Sequence, residues 1–117
     1  MASFEQGDVI KVPLPYTDRP TRQSRPALVV SMRSLEDNHG LLWVLMITSA
    51  DNRGWPGDVP VTNLAAAGLP APSLIRTAKM ATIEAADAAK LGIVPKGVLR
   101  QVARRIERVL GFADQNN

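Results

Sequence analysis

The fold is decided by Ser24-Arg25-Pro26-Ala27-Leu28-Val29-Val30-Ser31, read against a second run, Leu41-Leu42-Trp43-Val44-Leu45-Met46-Ile47-Thr48-Ser49. Each is short, continuous and rich in β-branched or bulky apolar residues. Runs of about four to eight such residues between turn formers suit strands buried on both faces. Pro26 pushes Arg25 into extended geometry, so no helix runs through it. Between the runs, Arg33-Ser34-Leu35-Glu36-Asp37-Asn38-His39-Gly40 is polar and closed by glycine, and it reads as a turn segment joining two antiparallel strands. In such a pair Arg25 enters one strand where Thr48 and Ser49 leave the other. A guanidinium then lies beside two hydroxyls, a set of donors suited to a phosphate.

Working back from that pair, Val9-Ile10-Lys11-Val12-Pro13-Leu14 reads as the first strand, with Pro13 placing its end at an edge or bulge. Pro15 to Ser24 reads as a loop hung over Arg25, and it carries Tyr16, Asp18, Arg19 and Arg22. A loop of that length between paired strands is often functional. Working forward, Ser49 to Gly57 is broken by Gly54, Pro56 and Gly57. Asp58-Val59-Pro60-Val61 reads as a short edge strand. Asn63 caps a single turn, Leu64-Ala65-Ala66-Ala67, stopped by Gly68. Pro70 and Pro72 enforce a loop. Ser73 to Arg76 and Lys79 to Ile83 read as two strands, and Glu84 to Lys90 as a short helix. From Pro95, the residues Val98, Leu99, Val102, Ile106, Val109 and Leu110 recur at helical spacing on one face, and Gly111 ends the helix. Residues 112–117 are expected to fray. The order predicts one α+β domain over residues 1–117, with a small, partly barrelled antiparallel sheet, short helices and a C-terminal amphipathic helix.

The 117 residues contain no cysteine and one histidine, and the net charge is +3. Without cysteine there is no disulfide framework, thiol nucleophile or cysteine-based zinc site. One histidine leaves scattered carboxylates as metal ligands, so neither metal nor cofactor is expected. The opening Met1-Ala2-Ser3-Phe4-Glu5-Gln6 shows no basic segment followed by an apolar core, and no stretch is long enough to span a bilayer. The expectation is a cytoplasmic protein away from membranes, with a basic balance that favours a polyanionic partner.

With these residues in view, the chain resembles the MazF/PemK family of bacterial toxin endoribonucleases. The resemblance is carried by Gly7-Asp8-Val9, by Pro13-Leu14-Pro15-Tyr16-Thr17-Asp18 followed by Ser24 to Val30, by Ile47-Thr48-Ser49, and by Ile75-Arg76-Thr77-Ala78-Lys79-Met80-Ala81-Thr82-Ile83-Glu84. It runs from about Gly7 to Gly111. It implies a small SH3-like barrel, usually a homodimer, that cuts single-stranded messenger RNA without a metal ion and is blocked by a cognate antitoxin. It places the catalytic arginine on Arg25 and the catalytic threonine on Thr48. Pro20 stands where many members carry an acid, and Asp18 is the nearest acid, so Asp18 is the candidate base. Tyr16, Arg22, Ser49, Arg53 and Trp55 are the candidate RNA contacts.

RNA cleaves when its 2′-hydroxyl attacks the adjacent phosphorus, leaving a 2′,3′-cyclic phosphate and a 5′-hydroxyl. A guanidinium meets the charge that gathers on the phosphoryl oxygens with a fork of donors. Thr48 or Ser49 adds a further hydrogen bond, and a carboxylate such as Asp18 takes the 2′ proton. Each residue also has a plainer reading. Arg25 suits a surface ion pair, Thr48 an ordinary strand position, and Asp18 the cap of a turn. Trp55 either stacks a base or pins its own loop. His39 reads as a solvated loop residue, and Arg100, Arg104 and Arg108 as a solvated stripe. Two other functions fit the same fold. One is a toxin that binds a protein such as DNA gyrase without hydrolysis, although the terminal Trp-Gly-Ile of those toxins is absent here. The other is a member that binds RNA but has lost activity.

Overall fold

Alternation along the chain explains why the two apolar runs have no polar face. The computed structural model describes residues 3–15 and 22–112. Six strands, β1 (Asp8–Pro15), β2 (Arg22–Val29), β3 (Leu41–Ser49), β4 (Val59–Pro60), β5 (Ser73–Glu84) and β6 (Ala89–Ile93), form one curled sheet in the order β4-β5-β3-β2-β1-β6. Every neighbouring pair is antiparallel. Successive side chains point to opposite faces. Val9, Leu28, Leu45 and Ile47 enter one core, while Ile10, Ala27, Val29 and Val44 enter a second.

The first core is roofed by helix α3 (Lys96–Leu110), through Val98 and Val102, and by α2 (Leu64–Ala67), through Ala67. The second is filled by Phe4, Leu42, Ile83 and Ala85, so it is closed by the curl of the sheet and the N-terminal segment. α2 starts as its sequence predicts: Asn63 Oδ1 accepts from Ala66 N at 3.2 Å. α3 starts after Pro95 and ends at Gly111. Only its first half is buried; Val109, Leu110 and Phe112 are exposed.

Four sequence expectations are corrected. Arg33 to Gly40 is not a turn segment but contains helix α1 (Arg33–His39), with Gly40 left-handed at its C-cap. α1 buries none of its residues, so the apolar period that announces a helix is missing. The loop read over Pro15 to Ser24 is shorter, because Pro15 pairs with Arg22 and Val12 with Arg25. The two strands read at Ser73–Arg76 and Lys79–Ile83 are one continuous strand, β5. Its pairing with β3 jumps from Leu45↔Met80 to Met46↔Arg76, and the unmatched Thr77-Ala78-Lys79 bulges at the point where the sequence seemed to break. Such a bulge bends a strand and curls its sheet. The helix read over Glu84 to Lys90 is a single 3-10 turn, Ala85–Asp87, followed by β6. Alanine is the best helix former, but intrinsic propensity is a small term, and here pairing with β1 overrides it.

A close contact locks β6 in place. A Cβ on Gly92 would lie 2.1 Å from the carbonyl oxygen of Ala66. Glycine is the residue that allows α2 to approach β6 backbone to backbone.

Candidate functional site

The site begins where a ladder stops. β2 pairs with β1 from Arg22 to Leu28, but with β3 only from Ala27 to Val29. Pro26, which has no N–H to donate, stands at that end. Continuing the Ala27↔Met46 register by two residues sets Arg25 opposite Thr48. Arg25 shares its face with Ala27 and Val29, and Thr48 shares its face with Val44. The two site residues thus stand on the sheet face away from α3. They line one cleft of about 340 Å³, with Ser49 and Asn52 beside them and the segment Leu69 to Ser73 as the opposite wall. That wall is stiffened by Pro70 and Pro72 and tied to the end of β3 by Ala50 N, which donates to Pro72 O at 2.9 Å. Among the described lining residues Arg25 carries the charge, and none is acidic.

The hydroxyls at the mouth are differently engaged. Thr48 Oγ1 accepts from Asn52 Nδ2 at 2.7 Å, and Thr48 is half-buried. Ser49 Oγ is exposed and accepts from Asp51 N at 3.1 Å, which closes a local turn. Asn52 N donates to Ser49 O at 3.1 Å in the same turn.

Residues 50–58 continue as a loop latched to β5. The Arg76 guanidinium lies over the Trp55 ring, 4.2 Å from its centroid. Arg76 Nε is 3.5 Å from Asp58 Oδ2, and the side chains are 11% and 8% exposed. The approach is not aligned for a hydrogen bond, and Asp58 Oδ1 also lacks a partner. Asp58 Oδ2 instead accepts from Trp55 N at 2.8 Å. Arg76 Nη2 donates to Arg53 O, and Thr77 Oγ1 donates to Gly57 O at 2.9 Å.

Of the residues singled out from the sequence, Arg25, Thr48 and Ser49 come together in the cleft. Arg53 and Trp55 stand on the adjoining loop and do not line it. One ring face of Trp55 is covered by Arg76, so the tryptophan pins its own loop, while the residue stays 41% exposed. Arg22 opens β2, paired with Pro15. Tyr16 and Asp18 lie outside the described residues. His39 is exposed in the last turn of α1, away from the cleft. Asn52, Asp58 and Arg76 were not singled out as site residues. A turn-forming asparagine four residues after Thr48 was the signal for the first. The arginine–aspartate latch has no spacing that marks it.

The profile of the PemK-like, MazF-like toxins of type II toxin-antitoxin systems matches residues 5–110. The chain belongs to this family. No curated protein sequence matches it significantly. Among solved structures, MazF from Deinococcus radiodurans superposes with a TM-score of 0.76 at 22% identity, covering 95% of this chain and 99% of that one. The toxin MazF-mt6 of Mycobacterium tuberculosis gives 0.70 at 23% identity, over 89% of this chain and 96% of that one. A mycobacterial endoribonuclease in complex with its cognate antitoxin gives 0.73 at 17% identity, over 95% and 96%. At these identities the likeness is one of fold, and it agrees with the small antiparallel sheet and terminal helix expected from the sequence. No described helix of this family member is long and apolar enough to cross a membrane.

Proposed function

We propose that this toxin-family chain is an endoribonuclease that cuts single-stranded messenger RNA at the Arg25–Thr48 cleft. The observation that carries the reading is the convergence of Arg25 and Thr48 on one cleft. These are the two positions to which the family resemblance gives the catalytic arginine and threonine.

In the proposed reaction the RNA 2′-oxygen forms a bond to phosphorus and the bond to the 5′-oxygen breaks. The 2′ proton passes to a base, assigned to Asp18. The leaving oxygen takes up a proton from solvent water and becomes the 5′-hydroxyl, and the phosphate closes to a 2′,3′-cyclic ester. Arg25 spreads its donors over the phosphoryl oxygens as their charge grows. It is the weaker candidate for the acid, since a guanidinium holds its proton tightly. The Thr48 hydroxyl donates one further bond. Tyr16, Arg22, Ser49, Arg53 and Trp55 are proposed to contact the RNA flanking the scissile bond. No step needs a metal ion.

The proposal includes a cytoplasmic toxin that pairs with a second copy of itself and is silenced by a cognate antitoxin. An exposed apolar surface supports a protein contact: Met32, Trp43, Met80, Val109, Leu110 and Phe112 are all open to solvent. Met32, Trp43, Met80 and Leu110 line one pocket together, and contiguous exposed apolar surface of this kind marks an interaction site.

The test is cleavage of a long single-stranded RNA by purified protein in excess EDTA, with chemical identification of the new ends. Cyclic phosphate and 5′-hydroxyl termini are expected. Intact RNA at ample protein concentration would remove the ribonuclease reading, and a gel shift would then separate an RNA-binding protein from one that targets another macromolecule.

A further inference from the structure

A threonine hydroxyl has one proton to give and two lone pairs to offer. At Thr48 one lone pair is already used, because Asn52 Nδ2 donates to Oγ1 at 2.7 Å. What remains is the hydroxyl proton and one further lone pair, and of these the proton is the group a phosphate oxygen can take up. An accepted bond polarises the O–H and makes it a better donor. We infer that Asn52 is a positioning residue that fixes the Thr48 hydroxyl as a donor to the phosphate, an inference that rests on the ribonuclease reading.

Three observations support this role over an incidental turn contact. Asn52 lines the same cleft as Arg25 and Thr48. Its backbone is held on both sides: Asn52 N donates to Ser49 O, and the next carbonyl, Arg53 O, accepts from Arg76. Arg76 is itself fixed by Asp58 and by the Trp55 ring. The latch on β5 thus sets the position of Asn52, and through it the direction of a hydroxyl on β3. Ser49 has no such arrangement. Its oxygen accepts from a backbone group, Asp51 N, so no side chain of the loop orients it.

The test compares Asn52→Ala, Asn52→Asp, Thr48→Val and the double variant Asn52→Ala/Thr48→Val, in steady-state RNA cleavage with kcat and KM resolved. Loss of one orienting hydrogen bond is expected to lower kcat about tenfold with KM within about twofold. Asn52→Asp is expected to fall below Asn52→Ala, because a carboxylate accepts from Thr48 and turns its proton out of the cleft. In the Thr48→Val background, Asn52→Ala is expected to cost nothing more, since the bond is already gone. A residue that only braces the loop would instead lower the double variant further and raise KM. The 15N side-chain amide signal of Asn52 gives a second readout, and it is expected to shift when Thr48 becomes valine. Full kcat in Asn52→Ala, additive losses in the double variant, or an amide signal indifferent to Thr48→Val each overturn the inference while the ribonuclease reading stands. Intact RNA with the wild-type chain removes that reading and this role together.

Discussion

Arg25 and Thr48 differ in what replaces them. A guanidinium offers a planar fork to phosphate, whereas an ammonium offers a point charge. Arg25→Lys is therefore expected to retain RNA binding and lose much of the rate, and Arg25→Ala to lose about 10²–10³ in kcat. Thr48→Ser keeps a hydroxyl within reach of Asn52 and is expected to remain within about tenfold of wild type. Asp18→Asn is expected to cost roughly 10²–10⁴ if Asp18 is the base, read in the same cleavage assay. The placement of this pair was legible in the sequence because each residue flanks an apolar run, and Pro26 fixes extended geometry at Arg25. Asn52 was not, because its contact depends on the path of a loop with no period. Trp55 was legible as an aromatic of interest, but its partner Arg76 is far away in the chain and only the structure brings the two together.

At the scale of elements, the loop 50–58 and the β6–α2 contact make separate predictions. Asp58 and Arg76 are nearly buried as a pair, and removing one partner leaves the other charge without compensation. Asp58→Asn is expected to cost about 3 kcal/mol in denaturant unfolding and to open the loop to limited proteolysis. Gly92→Ala drives a methyl group into the Ala66 carbonyl and is expected to destabilise by roughly 1–3 kcal/mol without touching the cleft. Its RNA cleavage at low temperature should stay near wild type. Strands β2 and β3 were readable as continuous apolar runs between turn formers, α2 from its Asn63 and Gly68 caps, and α3 because its buried face imprints a helical period on the chain. α1 was not, since it buries nothing and its seven residues look like any polar segment. A helix over Glu84 to Lys90 is not formed, because the alanines at 85, 86, 88 and 89 describe a local preference while the start of β6 is set by its pairing with β1. The bulge at Thr77-Ala78-Lys79 interrupts the apolar pattern without interrupting the strand, so from sequence it reads as a gap between two strands.

For the whole molecule, the sheet separates two tasks by face. One side packs α3 and α2, and the other turns Arg25 and Thr48 toward the cleft. α3 runs on past its buried half to an apolar end. A protein contact is expected there, so Leu110→Asp should weaken self-association in sedimentation velocity while changing the monomer's stability by no more than about 0.5 kcal/mol. The family and the architecture were legible from the ordered motifs, because those motifs lie on the strands that build the sheet. The chemistry of the cleft stands or falls on one comparison. Wild type and Arg25→Ala are given the same single-stranded RNA in EDTA, with binding measured on a 2′-deoxy analogue. Cleavage by wild type to cyclic-phosphate ends, lost in Arg25→Ala while the analogue is still bound, is the predicted result. Equal cleavage by the two proteins would contradict the account and place the chemistry elsewhere on the molecule.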